Sequence, residues 1–152
     1  MSFKLSRRVG GVCLALFAVM ATGCSSFDRE WSEAAAISPA SGNDIVGRWE
    51  GTWQSNFNGH NGGLRAIITK VDDQTHHAKF HATYQGFLSF PYELDIKTTP
   101  SEQATSFEGE ADLGALAGGM YKYTGQATST KFHSDYSASN GDHGTFTMKR
   151  PE

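Results

Sequence analysis

Ile45-Val46-Gly47-Arg48-Trp49-Glu50-Gly51-Thr52-Trp53-Gln54-Ser55 is the stretch from which the fold can be read. Ile45, Gly47, Trp49, Gly51 and Trp53 fall on one side, and Arg48, Glu50 and Thr52 on the other. That is the period of two that a strand with one buried face requires. Two tryptophans two residues apart commit that face to a large apolar burial. The glycines beside them lack Cβ atoms, which suits curvature or the close approach of another backbone. The chain that follows has to supply the cover.

Seven further segments do so, separated by turn residues at the spacing of a sandwich or barrel. The predicted strands after the first are Leu64–Val71, His77–Tyr84, Phe90–Lys97, Thr105–Asp112, Met120–Ala127, Lys131–Ala138 and Gly144–Arg150. Most alternate: Tyr121 and Tyr123 oppose Lys122 and Thr124, while Phe146 and Met148 oppose Thr145, Thr147 and Lys149. No long helical pattern interrupts them, so parallel crossovers have nowhere to go and each strand is expected to pair with its sequence neighbour. The expectation is an all-β, eight-stranded antiparallel up-and-down barrel over residues 44–152, with the first strand pairing antiparallel with the last. Gly47-Arg48-Trp49 resembles the G-x-W of the lipocalin superfamily's first strand. Gly144 to Arg150 resembles the closing strand of lipocalin- and avidin-type barrels. In those, a basic residue packs over the tryptophan, which implies Arg150 or Lys149 over Trp49. The resemblance covers the two end strands and implies an architecture; no ligand comes with it.

The first 24 residues read as an address. Lys4, Arg7 and Arg8 precede an uncharged run, Val9 to Ala21, too short to span a bilayer core of roughly 30 Å comfortably. Ala21-Thr22-Gly23-Cys24 then resembles the lipobox of a bacterial lipoprotein signal, with Ala21 where that family usually has Leu. The resemblance implies a signal peptide over residues 1–23, lipid on Cys24 and a membrane anchor in the bacterial cell envelope. Ser25 after the cysteine resembles signals that permit outer-membrane sorting, facing the periplasm. With Cys13 in the signal and Cys24 lipidated, the mature domain has no disulfide. Residues 24–43 read as lipidated N-terminus and tether, with Phe27–Ile37 able to form a short helix and Trp31 to dock on the domain or lie at the lipid interface. Since the strand count puts both termini at one end, the tether is expected to leave from there.

Charge and motifs exclude more than they assign. The chain has 13 Lys+Arg and 16 Asp+Glu; loss of Lys4, Arg7 and Arg8 leaves a formal charge of −6, against nucleic acid as a partner. There is no G-x-S-x-G elbow, P-loop or paired-carboxylate motif, so a non-catalytic protein without a cofactor is expected. The histidines at 60, 76, 77, 81, 133 and 143 suggest no metal site: His77 and His81 share a strand face but lie about 13 Å apart. His60 and His143 can meet at one rim, near Asp142.

Loops sort by parity in such a barrel, and the two ends differ. The even loops, near residues 72–76, 98–103 and 128–130, are plain polar turns. The odd loops are glycine-rich and carry Phe57, Phe87, Leu88 and Leu116, apolar tips of the kind found at a ligand mouth or a protein contact patch. Trp49, Trp53, Phe80, Tyr92, Tyr121, Tyr123 and Tyr136 are expected to face inward among small residues. They would form either a solid core or the lining of a cavity, and the tyrosine hydroxyls there need partners. Two functions stay open. One is a membrane-anchored binding module for a small apolar or aromatic ligand. The other is a structural or inhibitor-type envelope lipoprotein with a filled barrel, docking a protein through the odd rim.

Overall fold

The computed structural model describes residues 26–37 and 42–152. Eight antiparallel strands form a closed barrel in sequence order: β1 (Gly47–Ser55), β2 (Asn61–Lys70), β3 (Thr75–Tyr84), β4 (Leu88–Pro100), β5 (Thr105–Asp112), β6 (Met120–Ala127), β7 (Lys131–Ala138) and β8 (His143–Lys149). β1 pairs with β2 along its length and with β8 from Glu50↔Lys149 to Ser55↔Gly144, so the expected closure is present. Gly51 lies opposite Met148, and a Cβ there would run into the Thr147 carbonyl. The small residue in the two-tryptophan face lets the last strand come close enough to bond.

Strand ends differ from the sequence reading for identifiable reasons. β2 starts at Asn61 because Gly62 and Gly63, taken for loop, continue the ladder opposite Trp53 and Thr52. A side chain at Gly62 would meet the Thr83 carbonyl and the Trp53 ring nitrogen, so glycine here is a packing requirement. β3 starts at Thr75, because Thr75 and His76 are buried and paired with Lys97 and Ile96. β4 extends from Leu88 to Pro100, but its ladder with β5 covers only Ile96–Pro100. It is bonded to β3 over Leu88–Lys97, so the wall parts between β4 and β5 towards the odd end.

The lower half of the barrel, towards the even loops, is solid. Trp49 is fully buried with its Nε1–H donated to the Ile45 carbonyl at 2.8 Å, and its ring packs 5.5 Å from Phe132. Phe132 stacks on Phe107 at 4.5 Å, and Phe80, Leu94, Ile96, Tyr123 and Phe146 lie above, leaving a void of about 10 Å³. That volume holds no more than about one water. Arg150 closes this end: its guanidinium lies 3.8 Å from the Trp49 ring centroid and donates to the carbonyls of Val46 and Asp44, each at 2.7 Å. Lys149, the other sequence candidate, points to solvent near Glu152 at 3.6 Å.

The N-terminal segment is not a free tether over residues 26–37. An α-helix, α1 (26–33), runs into a 3-10 turn, Ala34–Ala36, and lies against the outer wall. Phe27 and Ala34 bury themselves on Ile67, an outward-facing residue of β2 that the helix covers. Phe27 stacks on His81 at 4.9 Å, Asp28 pairs with Arg65 at 2.7 Å, and Glu30 pairs with Lys79 at 2.7 Å. Trp31 docks beneath the guanidiniums of Arg48 and Arg65, both 5.2 Å from its ring. The segment descends from the level of His81, three residues short of the odd end of β3, to Gly47 at the even end. The described part of the tether therefore begins on the upper side wall, which corrects the expectation that the tether leaves from the even end. Residues 1–25, Cys24 among them, lie outside the described residues.

Candidate functional site

Above the solid half the barrel is hollow. A cavity of about 720 Å³ opens at the odd end, walled by Trp53 of β1, Ala82 and Tyr84 of β3, Phe90 and Tyr92 of β4, Tyr121 and Tyr123 of β6, Tyr136 of β7 and Phe146 of β8. The loop from Leu113 to Gly118 forms one lip, and Asn140 and Asp142 form another. Strand alternation places these side chains: inward positions on the lower half are filled by residues that pack, and those on the upper half mostly by aromatics that line, with Ala82 among them. The parting of β4 from β5 widens the site on the side of Phe90 and the 113–118 loop.

The lining is a continuous aromatic array. Tyr92 stacks on Phe80 below it at 5.1 Å and on Tyr123 beside it at 6.3 Å. Tyr121 continues from Tyr123 at 6.1 Å and meets Tyr136 at 5.7 Å. Trp53 tilts against Tyr84 at 6.1 Å, and its Nε1–H is donated to the Thr83 carbonyl at 2.9 Å. The hydroxyl partners required by burial are present: Tyr121 donates to the Ala117 carbonyl at 3.0 Å, and Tyr136 points to Asp142 Oδ1 at 3.5 Å. Burial, then the adjacent Tyr123 hydroxyl, pushes the Tyr92 phenol well above its usual range, and burial also raises Tyr123. Tyr136 is pushed up to about 12 by burial and then by the Asp142 charge. The wall is uncharged phenol at any physiological pH.

Asp142 is the exception in this wall. Ser55, fully buried at the end of β1, donates its hydroxyl to Asp142 Oδ1 at 2.6 Å and accepts from the amides of Phe57 and Asn58 at 3.2 Å each. One serine therefore ties the β1–β2 turn to the β7–β8 turn and fixes a carboxylate at the cavity lip. The two rim histidines do not join it. His60 stacks on Tyr84 at 4.9 Å, and His143 packs edge-on to Phe57 at 6.4 Å with Nδ1 3.1 Å from the Gly141 carbonyl. Among the described residues no group of three potential ligands could hold a metal ion.

Five of the seven inward aromatics singled out in the sequence, Trp53, Tyr92, Tyr121, Tyr123 and Tyr136, line this cavity. Trp49 and Phe80 do not: Trp49 is sealed under Arg150, and Phe80 is buried in the layer beneath Tyr92. The rim residues are exposed, Phe57 at 61 %, Phe87 at 75 %, Leu88 at 41 % and Leu116 completely, so they do not plug the barrel. Leu88 is the first residue of β4, paired with Tyr84, and only Leu116 borders the cavity. Sequence reasoning missed His60, Tyr84, Phe90 and Asp142 as lining residues. Phe90 and Tyr84 carried the alternation that would have revealed them, whereas Asp142 depends on a long-range bond to Ser55 that no local pattern encodes. In comparisons with known proteins, no family profile matches the chain and no curated protein matches it.

Proposed function

We propose that the protein is a non-catalytic binding module whose upper barrel takes a small apolar or aromatic molecule. The observation that carries this reading is the aromatic-walled cavity of about 720 Å³ standing on a fully packed base. That volume falls in the range of small-molecule sites, and so does the mix of apolar wall and few polar groups. The lipobox resemblance supports a bacterial lipoprotein anchored through lipid on Cys24, since several acyl chains exceed what stable anchoring needs.

A specific observation favours a second reading, a protein-docking envelope lipoprotein: Phe57, Phe87 and Leu88 are exposed without bordering the cavity. Native mass spectrometry of the protein purified from its own membranes tests all of this together. The binding reading expects a co-purified small molecule, and the anchor expects a diacylglyceryl and acyl mass increment on Cys24. An unmodified N-terminus removes the anchor. A co-purified protein that is lost on combining Phe87→Ser with Leu88→Ser, with no small molecule bound, replaces the first reading with the second.

A further inference from the structure

Several hydrogen-bond donors of the wall described above are used on the protein itself. The Trp53 N–H goes to the Thr83 carbonyl, the Tyr121 hydroxyl to the Ala117 carbonyl and the Tyr136 hydroxyl towards Asp142. What borders the cavity is mostly aromatic, with one carboxylate, Asp142, and the side chains of His60 and Asn140 from the rim loops. No lysine or arginine is among the described residues that line it. The four loops at this end, 56–60, 85–87, 113–119 and 139–142, contain none either. An anionic ligand would lose its water here and meet no lysine or arginine among the described residues, with the Asp142 carboxylate against it. A cation would meet the negative faces of several rings, which attract it best when the site is desolvated.

We propose that the cavity is an aromatic cage for an organic cation, an ammonium group carried on an apolar or aromatic body. Trp53, Tyr92, Tyr121, Tyr123 and Tyr136 supply the ring faces, and Asp142 supplies the counter-charge at the lip. This rests on the reading of the cavity as a binding site and adds the chemical class of its ligand. Ser55 has the positioning role: its 2.6 Å bond holds the Asp142 carboxylate towards the opening. The apolar body of the ligand lies against Phe90 and the 113–118 lip, where the wall parts. Such an arrangement selects by charge at nearly constant shape, because the same surface that attracts the ammonium gives an isosteric neutral group only apolar contact.

Three probes of nearly one shape test it on the full-length protein: benzyltrimethylammonium, its neutral carbon isostere neopentylbenzene, and benzylsulfonate. Binding is followed by intrinsic tryptophan fluorescence, since Trp53 stands in the wall. The cation is expected to bind about tenfold or more tighter than the neutral isostere, with benzylsulfonate weakest. Asp142→Asn keeps an oxygen for Ser55 and is expected to remove most of that preference. Tyr121→Leu, at a partly exposed position, is expected to weaken the cation severalfold and serves where the Asp142 variant does not fold. Equal affinity for cation and neutral isostere overturns the cage but leaves the cavity a binding site. A preference that survives both substitutions also overturns it. Failure of all three probes to bind overturns the binding module itself.

Discussion

Arg150 shows how much one side chain at the end of a chain can hold. It lies on the Trp49 ring, donates to the Asp44 and Val46 carbonyls, and reaches the Ser129 carbonyl at 3.3 Å. Those carbonyls belong to the segment entering β1 and to the β6–β7 turn, so one guanidinium joins three parts of the base. Arg150→Ala is expected to cost about 1–3 kcal/mol in denaturant melts, since the carbonyls lose their donor and the ring its cation. Lys149→Ala, one residue away and facing solvent, is expected to stay within about 0.5 kcal/mol. Equal effects would mean that the guanidinium is only resting on the ring. The pairing of Trp49 with a basic C-terminal residue was legible in the sequence; the choice between Lys149 and Arg150 was not. Alternation decides it: Lys149 is an outward position of β8, and Arg150 lies past the ladder, where the backbone is free to bring the side chain back.

The α1 segment is held on the wall by contacts that titrate. His81 lies under Phe27, with Arg65 and Asp28 as its charged neighbours; burial and then Arg65 lower its pKa, and Asp28 opposes them. His76, 3.2 Å from the Thr98 hydroxyl at the base, is lowered by burial, with Asp44 and Asp72 opposing and Lys70 assisting. A histidine whose folded pKa lies below the unfolded value of 6.5 takes up a proton more readily when the chain unfolds. Stability from both rings is therefore fully present above about pH 6.5 and is lost as pH falls through that value towards the folded-state pKa. Unfolding free energy measured from pH 7.5 to 5 is expected to fall more steeply in the native protein than in His81→Phe, which keeps a ring for Phe27. Identical slopes would show that His81 is not a determinant. The helix itself was legible from its composition, as was the option that Trp31 docks. Its direction was not, because the pairs Asp28–Arg65 and Glu30–Lys79 join residues far apart in sequence.

At the scale of the whole molecule the barrel is two different solids stacked in one ring. Its lower half is a packed core, and its upper half is a wall around a space. Phe132→Ala, which empties a closed site under Trp49 and Phe107, is expected to cost about 3–5 kcal/mol. Tyr121→Ala removes a ring that already borders the cavity, and about 1 kcal/mol or less is expected, because little new void is created. Comparable losses in urea melts would mean that the upper half is as tightly packed as the lower. Strand number and order could be read from alternation and turn residues, because they depend on local pattern, and closure from the resemblance carried by the two end strands. Whether the interior is hollow could not, since the same list of inward aromatics fits a filled or an open barrel. The outcome is set by the β4–β5 ladder stopping at Ile96↔Gly109, a register feature with no local signature.

Closure by β8 also has a meaning in time. Gly51 and Trp53 find their partners in Met148 and Phe146, about a hundred residues later in the chain, and the Arg150 clamp comes later still. A polypeptide is made from its N-terminus, so Trp49 emerges from the ribosome well ahead of Phe132, the ring it packs against, and of Arg150, which seals it. No ring can form until β8 is free. Until then the nascent barrel stays open, with one edge of β1 unmatched and exposed to the same edge on its neighbours. Closure is then a late event, slow because the β1–β8 contact joins strands far apart in the chain. A ribosome that stalls before Phe146 releases a sheet with two bare edges, a species to be held by a chaperone or degraded.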